Sequence, residues 1–449
     1  MSGLSFKQIR TYYNLCAPDE PLKPNDPRNI DLDQIQIDNH SPRGRNWVQR
    51  LAKQVELSDE PVFLLFSGLP GSGKSTELKR LMKRLEDKDM AHLLPIYVDA
   101  EEVLDLTSPL DVPDIIANLL HAADCQLLQL EGSDDEGMRS GYLARLWHWL
   151  ESTEIELTEG KVGLPAGSNL AFEMKARPSF REQVRQIVAK HLKQFLKRAH
   201  AELHAIEARA MKLGYSGVVL IFDSLEKLRG MSTTWHEVLL SAERLFGGQA
   251  PYLRLPVHTI YTVPPALAFR LQLDVEFMPM IKLREKTGEP CEAGCKAARK
   301  LVRARIPDDD LHAFLGEQTE ERVQDILAWS GGYPRELIRI LRKMLAEVEP
   351  GSVITDAQLA RVRQEIDDAY RQVVPASSFP WLARVAQERY LTIKDDAHRE
   401  DADTMLTNNA VLHYHNNETW FDLHPSLYRI PGLQQAIRAL SNAPSTDVS

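Results

Sequence analysis

The residues Gly68-Leu-Pro-Gly-Ser-Gly-Lys-Ser-Thr76 have the types and spacing to grip a phosphate chain. They fit GxxxxGK[ST], in which glycines let backbone N–H groups turn inward on phosphate oxygens while the following helix adds partial positive charge at its first turn. Gly68, Pro70, Gly71, Ser72, Gly73, Lys74, Ser75 and Thr76 are therefore the expected phosphate-binding set. Within it, Lys74 reaches the β- and γ-phosphates as the catalytic cation and the Ser75 hydroxyl ligates magnesium. A second segment, Gly217-Val-Val-Leu-Ile-Phe-Asp223-Ser-Leu-Glu226, is an apolar run ending in a carboxylate. In a parallel sheet such a run delivers Asp223 to the carboxyl edge, where it can hold the magnesium shell. The base that orients an attacking water is expected at Glu226, with Asp99, Glu101 and Glu102, at the tip of another strand, as alternatives. Together these residues imply a nucleoside triphosphate and Mg2+.

The elements that position them follow from the hydrophobic pattern. From Pro61 onward, short β-branched runs alternate with helical stretches, which predicts an α/β fold with a parallel sheet. Strands are expected at Val62–Ser67, Leu94–Asp99, Val218–Asp223, Val257–Thr262 and Pro279–Leu283, each nearly continuous in apolar residues as strands covered on both faces should be. About 110 residues separate the second and third strands, too many for a bare crossover. They are read as helices at Asp114–Leu130 and Tyr142–Leu150 and one long helix from about Phe180 to Leu213, whose buried stripe is Val184, Val188, Phe195, Ala199, Ile206 and Ala210. Helices then follow at Gly294–Arg305, Glu320–Ser330, Arg335–Glu347 and Asp356–Val374, the last opened by the capping box Thr355…Gln358. A helix, the segment Asp401–Asn408 and two strands, Val411–His415 and Trp420–Leu423, joined through Asn416-Asn417, read as a winged helix. The expected domains are a lead-in over 1–60, a phosphate-binding core over 61–290 with a helical insertion at about 105–215, a helical lid over 291–375 and the winged helix over 376–449.

Composition bounds the partners. The chain has 449 residues, 43% hydrophobic and 26% charged, with a net charge of −10, so coating nucleic acid is not its expected main task. No apolar run approaches the roughly 18 residues that span a bilayer, and no export signal opens the sequence, so a cytoplasmic protein without membrane contact is expected. Cys16, Cys125, Cys291 and Cys295 form no disulfide framework, and the Cys291/Cys295 spacing is unlike that of zinc pairs.

The long gap between the phosphate-binding loop and the Asp223 strand leaves room for one intervening strand, and in this the chain resembles the additional-strand P-loop ATPases, the AAA+ and STAND classes. Ser330-Gly-Gly-Tyr-Pro-Arg335 is similar to the Gly-Gly-x-Pro-Arg turn that opens their lid helix, and Leu423-His424-Pro425 resembles the winged-helix His motif of STAND switches. The resemblance implies a three-layer core with strand order 5-1-4-3-2, Thr262 as a polar γ-phosphate sensor, Pro334 beside the adenine, Arg335 toward the nucleotide from the lid, and His424 on the β-phosphate of ADP. Arg244 and Arg254 are the candidates for fingers supplied to an adjacent subunit. What is implied is a slow ATPase switching between ATP and ADP states, with homo-oligomers and separate protein partners for sensing and output. About 60 residues precede the core and about 20 follow the winged helix, too few for such domains. The analogous setting is bacterial antiviral defence. The rival reading is an AAA+ ATPase that loads onto DNA through the winged helix. It is less favoured because that module, from Ala376 onward, holds six Lys/Arg against nine Asp/Glu. A small-molecule kinase is a third, which the lid and winged helix argue against.

Overall fold

The computed structural model describes residues 3–38, 40–132, 142–153, 175–228, 234–416 and 418–442. In chain order, helices α1 (Phe6–Leu15) and α2 (Trp47–Glu56) lead into strand β1 (Phe63–Gly68), helix α3 (Lys74–Leu85) and strand β2 (Leu93–Asp99). Among the described residues a short helical turn at Ala100–Val103 and the longer helices α4 (Val112–Leu130), α5 (Tyr142–Thr153), α6 (Pro178–Lys190) and α7 (Leu192–Lys212) precede strand β3 (Gly217–Asp223). Helix α8 (Trp235–Phe246) separates β3 from β4 (His258–Thr262) and β5 (Val275–Met278). Then come α9 (Glu292–Arg303), α10 (Asp308–Leu315), α11 (Thr319–Ser330), α12 (Pro334–Glu347) and α13 (Asp356–Val373). Last are α14 (Phe379–Glu388), α15 (Asp396–Thr407), the hairpin β6 (Val411–His415) and β7 (Thr419–Leu423), and α16 (Pro431–Ser441).

The chain divides into two compact units. One comprises Leu51–Ser67 and Leu81–Phe277, the other Met1–Arg50, Gly68–Arg80 and Met278–Ser449. The first is built on the five-stranded sheet, ordered β2-β3-β4-β1-β5, the order that the resemblance to additional-strand ATPases implied. β2, β3, β4 and β1 pair in parallel, with Asp99 level with Asp223 and Phe66 level with Thr262. Every residue of β3 is buried, because helices such as α4 and α7 pack on the strands. The stripe Val184, Val188, Phe195, Ala199, Ile206, Ala210 lies in this core as expected. It is carried by two helices instead of one: at His191 the backbone leaves helical geometry (φ −122°, ψ 27°), its N–H closing α6 on Ile187 and Val188 and its carbonyl opening α7. Part of the expected insertion lies outside the described residues.

The second unit holds the expected phosphate-binding loop together with the helices expected to form the lid and the winged helix. The last sheet strand ends at Met278, not within the expected Pro279–Leu283 run. Pro279 has no N–H to give a ladder, and the next three amides are used inside this unit: Met280 donates to His413, Ile281 to Gly332 and Lys282 to Pro42. The capping box at Thr355 and Gln358 forms as expected. α10 was not anticipated; it is a short helix opened by Pro307 and closed by Gly316 at φ +77°. Asn417, in the expected wing turn, lies outside the described residues.

His413, His415 and His424 are buried in this unit. Burial pushes His413 down to about 3, and burial with Arg45 and Lys282 nearby pushes His415 down to about 4. His424 is also held well below the ordinary value, by burial and by Arg363 and Arg339. Below the ordinary histidine pKa near 6.5 the unfolded chain therefore binds more protons than the folded one, so this stability is complete above pH 6.5 and is lost as pH falls toward 4 and then 3. At pH 4.5 the loss should reach about 2–3 kcal/mol for each of His413 and His415. Urea midpoints measured from pH 7 to 4.5 should fall more steeply for the native chain than for His413→Gln; identical slopes would contradict this.

Candidate functional site

The loop Gly68–Gly73 leaves β1 and enters α3, so the strand aims the chain and the helix N-terminus follows it. Donors consume nearly every carbonyl of the loop. Lys74 is buried, and its Nζ donates to Gly68 O at 2.8 Å and Leu69 O at 3.3 Å. Asn409 Nδ2 donates to Pro70 O at 3.2 Å, Arg43 Nη2 to Ser72 O at 2.8 Å, and Glu77 N to Gly73 O at 3.1 Å. Because each peptide unit is planar, fixing the carbonyls fixes the amides of the same planes. Ser75 and Thr76, in the first turn of α3, remain half-buried.

Gly71 shows why this loop needs glycine. Its φ is +79°, and a Cβ there would come within 2.7 Å of both the Arg335 Cβ and the Tyr333 ring. The lid therefore closes directly on the loop. Tyr333 is buried, which pushes its phenol up to about 12, and its hydroxyl accepts a hydrogen bond from Asn409 Nδ2 at 3.1 Å. Asn409, between α15 and β6, holds φ at +54°, a conformation asparagine tolerates, and so bridges winged helix, lid and loop. Gly332 allows the same turn to pass Ile281, whose carbonyl oxygen would lie 1.8 Å from a Cβ.

On its other side the loop is tied to the amino-terminal segment. Arg43 is only 3% exposed and also donates from Nη1 to Glu77 Oε1 at 2.9 Å. Glu77 takes Arg80 Nη1 at 2.6 Å, and Arg80 pairs in turn with Asp31. Burial and the Glu77 charge push the neighbouring Asp33 carboxyl up to about 6.

Pro334 occupies the first turn of α12, as expected. The Arg335 guanidinium lies 3.4 Å from Asp19, so in this structure it meets a carboxylate of the amino-terminal segment. His424 is fully buried and stacks on Tyr370 at 3.7 Å and 13°. Its Nδ1 accepts from Ser426 N at 3.3 Å, while its Nε2 has no hydrogen-bond partner among the described residues.

In the sheet unit, Asp223 is fully buried at the end of β3. Its Oδ1 accepts from Ser224 N at 2.7 Å and its Oδ2 from the Tyr97 hydroxyl at 2.6 Å. Burial and this carboxylate push the Tyr97 phenol up, which keeps it a donor. Ser224 sits at φ +67°, a left-handed conformation that turns the chain sharply after Asp223. Glu226 follows on a buried 3-10 turn. Of the alternative bases, Asp99 caps the turn after β2 through Glu101 N, Glu101 pairs with Lys227, and Glu102 is exposed. The Thr262 hydroxyl accepts from Leu225 N at 3.0 Å and donates to Phe222 O at 3.4 Å, pinning the end of β3. Arg244 and Arg254 are both exposed, with Arg254 over the Phe63 ring. The hydroxyl of Ser75 and the carboxylate of Asp223 are hard oxygen donors of the kind magnesium takes. Among the described residues no cluster of His, Cys, Asp and Glu suits another metal, and Cys291 and Cys295 are buried thiols.

Sequence reasoning missed Arg43, Glu77, Tyr97, Tyr333 and Asn409. Only Tyr333 carried a visible signal, its place in the Gly-Gly-x-Pro-Arg turn; the others gain meaning from long-range packing.

No protein-family model matches the chain, and no curated protein does. Among solved structures it is similar to the Aeropyrum pernix ORC2 protein in its ADPNP–ADP complexes, at 12% identity over 92% of this chain and 98% of that one, with a TM-score of 0.36. It is similar to Cdc6p from Pyrobaculum aerophilum at 11% identity over 95% and 98%, TM-score 0.34. A structure of Drosophila ORC bound to DNA matches at 12% identity over 96% and 92%, TM-score 0.35.

Removing Arg43 would leave the buried Glu77 to Arg80 alone and free the Ser72 carbonyl. Arg43→Met should cost about 1–3 kcal/mol in urea unfolding, the range for buried acceptors that lose one hydrogen-bond partner. A cost under about 0.5 kcal/mol, typical of a surface site, would show that the pair does not hold the loop.

Proposed function

We propose that this chain is an AAA+/STAND-like P-loop ATPase acting as a molecular switch that signals to or assembles with separate partner proteins. The observation that supports it best is the bridge from Pro70 through Asn409 to Tyr333. One side chain of the winged-helix region holds both the phosphate-binding loop and the lid turn, so any change in the loop is felt by both. A nucleotide shifts such a two-state element only by binding its two forms with different affinity.

In this reading Lys74 neutralises charge on the β- and γ-phosphates, and Ser75 and Asp223 hold Mg2+, which supplies the remaining positive charge. Glu226 orients the attacking water. Pro334 and Arg335 serve the nucleotide from the lid, Arg335 after leaving Asp19, and Thr262 reports the γ-phosphate through the β3 end it pins. His424 contacts the β-phosphate of ADP, its neutral imidazole keeping Nε2 available. The DNA-loading alternative draws support from the helices and wing at the carboxyl-terminal end, but the acidic balance there opposes it.

Lys74→Ala should abolish nucleotide binding in equilibrium titrations. Asp223→Asn should keep ATP binding and lose magnesium-dependent phosphate release, at least a hundredfold. His424→Ala should weaken ADP more than ATP. Normal phosphate release by Asp223→Asn would remove the hydrolytic assignment, and equal losses for both nucleotides in His424→Ala would remove the ADP contact. A salt-dependent shift of duplex DNA, lost on Arg384→Glu, would rank the DNA reading first.

A further inference from the structure

In the unit that holds the lid and winged helix, a cavity of about 670 Å³ opens whose lining includes no residue of the phosphate-binding loop. Its size falls in the range of small-molecule sites, roughly 300–1,000 Å³. Arg284, Arg363, Arg389 and Arg429 line it beside Trp329 and Tyr428, and among the described residues no acidic side chain does.

Two buried carboxylates lie behind these arginines. Asp422 pairs with Arg389 and, at 3.3 Å, with Arg284; Asp367 lies 3.2 Å from Arg363 and 2.6 Å from Arg429. The nearby buried Glu336 is matched by its own Arg339 at 2.6 Å. Four guanidinium groups on two carboxylates leave a surplus of two positive charges at the cavity wall.

Arg363 is the informative member. Its side chain is 10% exposed, its guanidinium lies 5.4 Å from the centre of the Trp329 ring, and its Nη1 has no hydrogen-bond partner among the described residues. A buried guanidinium with an unused N–H is costly, and the partner that suits its planar fork is an oxyanion. A dianion would cancel the surplus charge, and phosphoryl oxygens match the guanidinium geometry.

We propose that this cavity is a second ligand site, taking a small organic phosphate whose dianionic phosphoryl group sits on Arg363 and Arg429 and whose flat ring lies against Trp329. The test is run on full-length protein carrying Lys74→Ala, in the presence of a chelator, so that nucleotide held at the Gly68–Gly73 loop does not contribute to the signal. Phenyl phosphate and inorganic phosphate are titrated calorimetrically in parallel. Phenyl phosphate should saturate one site per chain and bind severalfold tighter than inorganic phosphate. Arg284→Gln/Arg429→Gln should weaken it at least tenfold; both side chains are half exposed or more, at 50% and 60%, so the fold tolerates their loss. Trp329→Leu should narrow the gap between the two probes, and this second variant decides the matter should the first fail to fold. Absence of saturable binding in the millimolar range, or unchanged affinity in the arginine variant with an unaltered near-ultraviolet spectrum, would overturn the proposal.

Discussion

Everything in the phosphate-binding unit depends on how the carbonyls of Gly68–Gly73 are held. A glycine-rich loop is the most costly kind of chain to order, since glycine loses the most backbone freedom on folding. Here that cost is offset by three side chains remote in sequence from each other: Lys74 from within, Arg43 from the amino-terminal segment and Asn409 from beside the wing. Their common effect is to orient the loop's amides before any ligand arrives, which is the preorganisation that makes an anion site strong.

That arrangement ties the loop's shape to distant chain. Arg43 does so through a buried ion pair, which is expensive to break on one side and so transmits strain instead of absorbing it. Asn409 does so through neutral hydrogen bonds, weaker individually and easier to exchange. Of these two ties, the Asn409 hydrogen bonds are the one more readily broken. The buried neutral histidines of the hairpin region make opening easier in acid, because an exposed imidazole takes up the proton that burial denies it.

Much of this was legible in the residues alone. The nine-residue loop and the Asp223 strand have local signatures, because glycine spacing and apolar runs act within a few residues; the order of the sheet and the lid turn came only through the resemblance to additional-strand ATPases. The failures were of two kinds. Pro279–Leu283 is as apolar as a strand, yet its amides are claimed by His413, Gly332 and Pro42, partners a one-dimensional reading does not see. The stripe from Val184 to Ala210 keeps helical spacing across His191, so periodicity alone hid the break. Arg43 and Asn409 stayed invisible for a related reason: a charged or amide side chain in a loop looks solvated until packing buries it.

The central claim is that this loop is a built nucleotide site. Calorimetric titration of the full chain with ATP and with ADP, each with Mg2+, tests it most directly. The account predicts one nucleotide bound per chain in each titration, with different affinities for the two. No saturable binding of either would contradict it.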